Sequence, residues 1–215
     1  MKGISKIIGL FAAMLILLQT LPVLAWNHFE EYSTVASQKR FSAMCVDETT
    51  DIAYISDDET DIKVFDFSSP KHIKQIGSIA TNEKYTSMGV YSNYLYAVAD
   101  GKARIDIFNV ADSSKLLLVG KISSPGINRI EIINDDLYVS SPNALSKYSL
   151  RKSYMGMLTA SVATEGNIPC IGFGETYTCY TSYSGRVKIL SSENFEVLGT
   201  VDIPADYPLG CTIYN

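Results

Sequence analysis

Apolar and polar residues alternate with a period of two along most of this chain, most plainly over 62–66, 105–109, 145–149 and 187–191. After the N-terminal leader, no stretch of twelve or more residues repeats with the 3.6-residue period of a helix. Each alternating run is bounded by Gly, Asn, Asp, Ser or Pro, the residues that turns need, so the pattern predicts short antiparallel strands. Tyr54, Tyr96, Tyr138 and Tyr177 lie 42, 42 and 39 residues apart and give the runs a common register. In that register a first strand precedes each Tyr: Met44-Cys45-Val46, Met88-Gly89-Val90, Ile130-Glu131-Ile132 and Pro169-Cys170-Ile171. A short turn (48–51, 92–93, 134–135, 174–175) leads into the Tyr strand, and a second turn leads into the alternating third strand. A fourth strand ends in 75–79, 119–122, 158–162 and 198–203.

Four strands per period of roughly forty residues is the arithmetic of a β-propeller made of four-stranded antiparallel blades. The expected fold is all-β with four blades, at about 42–79, 86–122, 128–162 and 168–203 of a repeat region spanning 26–215. One blade cannot bury both of its faces, so the apolar columns require consecutive blades to pack face to face. The two ends are out of phase with this frame. Residues 32–46 run parallel to 76–90 at an offset of 44, which predicts an outer strand at 29–36. Gly210-Cys211-Thr212 falls 41 residues after Pro169-Cys170-Ile171, so 209–215 reads as the start of a fifth blade. An outermost strand at one end and an innermost strand at the other are not neighbours in a blade. The expectation is therefore an incomplete ring, either a truncated reading frame or a half that pairs with another copy, whose open blade edges would allow self-association.

The segments IKVFDFSSP (62–70) and IDIFNVADS (105–113), followed by Gly77 and Gly120, and above all YAVADGKARIDIFNV (96–110), resemble the LVIVD repeat of secreted or surface propeller proteins of bacteria and archaea. The resemblance spans most of 46–203. The third and fourth copies, Leu145-Ser146-Lys147-Tyr148-Ser149 and Val187-Lys188-Ile189-Leu190-Ser191, lack the acidic residue that closes the motif. The family implies a fold and an extracytoplasmic setting, not an activity.

Lys2 and Lys6, the uncharged run 7–18 and the small-residue ending Pro22-Val23-Leu24-Ala25 have the form of a signal peptide over 1–25, cleaved near Ala25. The apolar run is too short for a retained membrane span, which argues against stable membrane insertion after cleavage. No Cys follows the cut, which argues against a lipid anchor there. Of the 215 residues 47% are hydrophobic and 19% charged, which is the composition of a folded domain. Loss of the leader takes the formal charge from −5 to −7, because Lys2 and Lys6 leave and no acid does. The cations are scattered, so nucleic acid is excluded as a partner class.

Candidate chemistry is sparse. A two-residue turn at Gly174-Glu175, with Gly suited to a type II′ hairpin, would set Cys170 directly opposite Cys179 at a non-hydrogen-bonded site. Those two cysteines are candidates for a disulfide, with two buried thiols as the alternative. Cys45, expected opposite Ser56, and Cys211 share an innermost-strand column with Gly89, Glu131 and Cys170 and read as small packing residues. The acidic turn Asp57-Asp58-Glu59-Thr60-Asp61 lacks the spaced Asp and Gly pattern of a calcium loop, and reads as a solvated tip. His28 and His72 have no Cys or acid at metal-ligand spacing, so no metal site is expected. No Gly-x-Ser-x-Gly elbow is present, and Gly172-Phe173-Gly174 precedes no helix that would make it a phosphate loop. The tyrosines of the repeat column read as packing. Tyr85, Tyr91, Tyr94, Tyr154, Tyr180 and Tyr183 are less regular, so some of them are expected to lie exposed on a binding face, but no binding site is named from them.

No catalytic residue, metal or cofactor is therefore expected. The sequence favours an exported, non-catalytic interaction module, secreted or at the cell envelope, taking a protein or glycan partner on loops of a rigid scaffold. The alternative is a propeller enzyme of the lactonase, lyase or quinone-dependent dehydrogenase type, with a site in the central channel.

Overall fold

A computed structural model describes residues 40–58 and 60–203. The leader, the strand expected at 29–36 and the fifth blade expected at 209–215 lie outside the described residues. Among those described there are sixteen strands and no helix. They form four antiparallel sheets of four strands, each in sequence order. The first sheet contains β1 (Phe41–Asp47), β2 (Ile52–Asp57), β3 (Asp61–Asp66) and β4 (Lys74–Ala80). The second contains β5 (Tyr85–Tyr91), β6 (Tyr94–Ala99), β7 (Arg104–Asn109) and β8 (Leu117–Ser123). The third contains β9 (Arg129–Ile133), β10 (Asp136–Ser140), β11 (Ala144–Ser149) and β12 (Met157–Ala163). The fourth contains β13 (Cys170–Phe173), β14 (Tyr177–Thr181), β15 (Arg186–Ser191) and β16 (Val197–Asp202). β1 lies against β5 and β5 against β9, so the first strand of each sheet is the inner one and the sheets stand as blades. Among the described residues the ring is not closed.

The second and third strands are apolar on both faces because both faces are covered. Ile62, Val64, Ile105, Ile107, Leu95, Leu137 and Leu145 are all fully buried. The core is correspondingly a series of interblade layers. One layer joins Tyr54, Ile62 and Val64 of the first blade to Tyr85, Met88, Leu95, Ala97 and Phe108 of the second. The next joins Tyr96, Ile105 and Ile107 to Ile130, Leu137 and Val139, and a third joins Tyr138 and Leu145 to Tyr180, Leu190 and Phe195. Full burial of an aliphatic or aromatic side chain is worth ~1.5–3 kcal/mol, so each layer contributes several such increments.

The blades repeat in detail. In every one the pairing of the third and fourth strands slips by one residue at the same place, after Val64, Ile107, Lys147 and Ile189. The extra residue, Ile76, Val119, Thr159 or Leu198, makes a bulge that sharpens the twist of the outer strand. The inner hairpins of the second and third blades turn through Ser92 (φ 53°) and Asn134 (φ 53°), the left-handed first position that a type II′ turn requires.

Two register expectations are corrected. In the fourth blade Gly174 N–H donates to Tyr177 O at 2.9 Å, so the hairpin bends at Glu175-Thr176 and Gly174 is the residue before the bend. Cys179 consequently faces Gly172, and Cys170 faces Thr181. The direct opposition of Cys170 and Cys179 on which a cross-strand disulfide was expected is not the observed register. The two are diagonal rather than directly opposed neighbours on adjacent strands. In the first blade Cys45 faces Tyr54 rather than Ser56.

The same shift revises the repeat columns. Tyr54, Tyr96 and Tyr138 face Cys45, Gly89 and Glu131, so the fourth member of the Tyr column is Cys179, which faces Gly172. Tyr177 lies two residues earlier, beside the bend, and is 49% exposed. By the same register Gly172, not Cys170, continues the inner column.

Candidate functional site

The inner strands β1, β5 and β9 diverge and leave a cleft of about 410 Å³ between their exposed sides. Its floor is backbone and small side chains, including Ala43, Cys45, Ser87 and Gly89, and its far wall carries Arg129 and Glu131. Inner strands of a propeller pair on only one side, so a second row of backbone N–H and C=O groups faces the cleft. The Ser87 hydroxyl closes part of that row by donating to Ile130 O at 3.1 Å and accepting from Ile130 N at 3.1 Å. A Cβ at Gly89 would stand 3.1 Å from the Ile132 side chain of the third blade, so that side chain would have to shift to make room. Arg129 and Glu131, two apart on β9, point to the same side and pair at 3.2 Å.

Of the cysteines placed in the innermost-strand column, Cys45 lies in this cleft and Cys170 does not. Burial, with the Asp47 carboxylate adding to it, pushes the Cys45 thiol up to about 12. The Tyr54 phenol behind it is also pushed up to about 12, by burial first and by Asp47 and Cys45 after it. Both stay protonated near neutral pH, and a protonated thiol is a poor nucleophile and a poor metal ligand. Burial works against ionisation of Asp47 as well, but the side-chain and backbone hydrogen bonds of Thr49 and Thr50 outweigh it and hold the carboxyl below its ordinary range. Its Oδ1 accepts from Thr49 N at 3.0 Å and from Thr49 Oγ1 at 2.6 Å, which fixes the β1–β2 loop.

The remaining charged groups are tied into the frame. In the acidic turn the carboxylates diverge: Asp57, fully buried, lies 2.6 Å from Lys63 Nζ, whereas Asp58 lies 2.8 Å from Lys84 Nζ. Asp61 accepts from Ser78 Oγ at 3.4 Å. Among the described residues no group of three or more His, Cys, Asp or Glu side chains could hold a metal ion. Asp106, buried in the second blade, accepts from Tyr85 Oη at 3.1 Å and from Arg104 Nε at 2.9 Å. Arg104 continues to Glu83 at 2.8 Å in the connector from the first blade. The equivalent Arg186 of the fourth blade pairs with Glu165, also at 2.8 Å, in the connector from the third. These ion pairs fasten a blade to the connector that precedes it. The third-to-fourth junction is the exception to the apolar rule, since Lys147 stands where Val64 and Ile107 stand in their blades. It lies 3.1 Å from Asp136 and donates to Ser192 O at 2.9 Å.

The tyrosines offered as a binding face mostly serve packing. Tyr85 and Tyr180 are fully buried. Tyr94 stacks on Tyr154 at 4.7 Å between blades, and Tyr91 Oη donates to Asp135 at 2.9 Å in the next blade. Tyr183 is half-exposed, and so is Tyr177, which the column had assigned to the core. The sequence reading singled out Glu131 but missed Ser87 and Arg129, which share the cleft with it. Their signal was present in the alignment, because each lies on a first strand within two residues of the inner column.

No protein-family model and no curated protein matches this chain. Among solved structures it is similar to the β-propeller domain of Myceliophteria thermophila Cps50 (Swd1), with a TM-score of 0.61 at 13% identity over 79% of this chain and 62% of that one. It is similar to the computationally designed Ika4 protein, with a TM-score of 0.55 at 14% identity over 76% of this chain and 98% of that one. It is also similar to Kluyvelomyces marxianus Hsv2, with a TM-score of 0.52 at 12% identity over 72% of this chain and 49% of that one, so it spans about half the length of the Hsv2 structure. At such identities the likeness is one of fold, and the fold is a β-propeller of four-stranded antiparallel blades.

Proposed function

We propose that this chain is an exported, non-catalytic recognition module of the LVIVD-repeat kind, which holds a protein partner at the cell envelope in the cleft along its inner strands. The observation that carries the reading is the state of that cleft: its thiol is held neutral at about 12, and Arg129 and Glu131 neutralise each other. What the cleft presents is a fixed row of backbone donors and acceptors flanked by one cation and one anion. Such a surface suits an extended segment of a partner, which pairs through its own backbone and is oriented by charge. The leader over 1–25 and the resemblance at 96–110 support the extracytoplasmic setting, and the propeller fold is a common frame for protein interaction.

The test places a photo-crosslinking residue at Thr86, an exposed residue lining the cleft, and irradiates intact cells that express the full chain. The reading expects a leader-free protein outside the cytoplasm and a discrete protein adduct that is lost in Arg129→Glu. Cytoplasmic retention of the uncleaved chain, or an adduct indifferent to Arg129→Glu, would overturn it.

A further inference from the structure

The first blade carries an apolar face with no blade against it among the described residues. It forms a groove of about 350 Å³ lined by Phe41, Met44, Val46, Ile55, Phe65 and Phe67, among others. Met44 is 63% exposed, Phe41 45% and Val46 41%. The pairing registers give each of these residues a counterpart in the second blade. Phe41 corresponds to Tyr85, Met44 to Met88, Val46 to Val90, Ile55 to Ala97, Phe65 to Phe108 and Phe67 to Val110. All six counterparts belong to the layer that the second blade packs against the first. Met88 is 7% exposed and Tyr85 1%. The open face is therefore the receiving half of an interblade junction.

The other half of such a junction is also known, because the first blade presents it to the second: Tyr54, Ile62, Val64 and, partly buried, Ile79. In the fourth blade the corresponding positions are Cys179, Val187, Ile189 and Val201. Val201 is 52% exposed. Val187 and Ile189 are half-buried, whereas Ile62 and Val64 are completely buried. Among the described residues one chain thus carries a receiving face on its first blade and an unfilled presenting face on its fourth.

We propose that the open face of the first blade receives the fourth blade of a second copy of this chain, so that two chains join head to tail. Two such junctions are related by a two-fold axis and use both open faces of the described blades. Two sets of four blades make eight, within the range that propellers use. The occupant is a second copy because the receiving face continues the rows of the chain's own interblade layers, and the fourth blade bears the matching columns.

The test is sedimentation of the full chain over about 1–100 μM, comparing wild type with Met44→Glu, Val201→Glu and Leu117→Glu. Leu117 is 66% exposed on the outer strand of the second blade and serves as the control. A dimer is expected for wild type and Leu117→Glu. Each symmetric junction needs one of each face, so Met44→Glu or Val201→Glu alone strikes both junctions and should weaken the dimer by at least about tenfold. All four proteins should give the same circular dichroism and the same melt as monomers, since the substituted side chains are exposed there. A monomeric wild type throughout overturns the proposal. So does a dimer that survives Val201→Glu, which would mean that two first blades pair with each other, or one that Leu117→Glu disrupts equally.

Discussion

Removal of the Tyr85 hydroxyl is the sharpest perturbation of the frame. Tyr85 is 1% exposed and Asp106 2%, and the phenol donates to Asp106 Oδ2 at 3.1 Å. In Tyr85→Phe the ring keeps its edge-to-face packing on Phe108, at 6.0 Å and 89°, so the change removes only the hydroxyl's hydrogen bonds, with Asp106 and Thr81. A hydrogen bond to a charged group is worth ~1.5–3 kcal/mol. Asp106 is not orphaned, because Arg104 still donates to it at 2.9 and 3.2 Å. The expected loss is therefore at the lower end, ~1.5–2 kcal/mol, or ~3–8 °C in Tm for a domain of this size. Asp106→Asn removes the charge that both donors address and should cost more, ~2–4 kcal/mol, since Arg104 is then left with Glu83 alone. In the double variant the Tyr85 bond can be lost only once, so the two losses should fall short of additivity by ~1 kcal/mol. The assay is urea unfolding at pH 7 for wild type, both single variants and the double variant. Burial and the Asp106 charge hold the phenol far above its ordinary pKa, so it remains a donor and the result should not change up to pH 9. A loss below ~0.5 kcal/mol for Tyr85→Phe, together with strict additivity, would refute the network.

Three further outcomes follow from the same structure. Cys45, with its thiol near 12, should alkylate roughly a thousandfold more slowly at pH 8 than an ordinary thiol of pKa about 8.5, read by peptide mass after timed iodoacetamide. Side-chain hydrogen bonds from Lys102 and Arg104 hold Glu83 below its ordinary range. A depressed carboxyl stabilises the fold above its unfolded pKa, about 4.3, and that contribution is lost as pH falls through the folded value, so Glu83→Gln should flatten the acid limb of a stability-versus-pH curve below about pH 4 while leaving its shape above pH 6 unchanged. Phe195 is 2% exposed, packs 6.0 Å from Tyr138 and holds φ at 62°, a backbone region that bulky residues rarely adopt. Truncating the ring costs ~3–5 kcal/mol, and glycine returns ~1 kcal/mol of backbone strain that alanine does not. Phe195→Gly should therefore be the less damaging variant in a denaturant melt, opposite to the order expected on an ordinary strand.

The strands were legible because each is bounded by turn chemistry and alternates with period two, and the bulges were not because they show only in the pairing of the fourth strand with the third, which sequence spacing does not fix. Period two also explains the two register errors. A slip of two residues returns every side chain to its original face, so Tyr177 fits the Tyr column by periodicity as well as Cys179 does. What separates them is the position of the bend, and Gly174 in a Gly-Glu pair drew it one residue too early. The cleft was partly legible: Glu131 stood in the inner column, but Ser87 and Arg129 matter through a neighbouring blade, and neighbour relations between first strands are tertiary. The open face of the first blade was hidden for the opposite reason. Its residues look like core in every blade, and only their exposure distinguishes the copy that has no neighbour among the described residues.

Site-resolved hydrogen exchange as a function of protein concentration tests that arrangement most directly, because it reads each blade separately. The central blades are covered on both faces at any concentration, so exchange in Tyr85–Tyr91, Arg104–Asn109 and Asp136–Ser140 should be slow and independent of it. Raising the concentration should slow exchange in Phe41–Asp47 and Asp61–Asp66 of the first blade, and in Arg186–Ser191 and Val197–Asp202 of the fourth. A concentration effect spread evenly over all four blades, or confined to the second and third, would contradict the account.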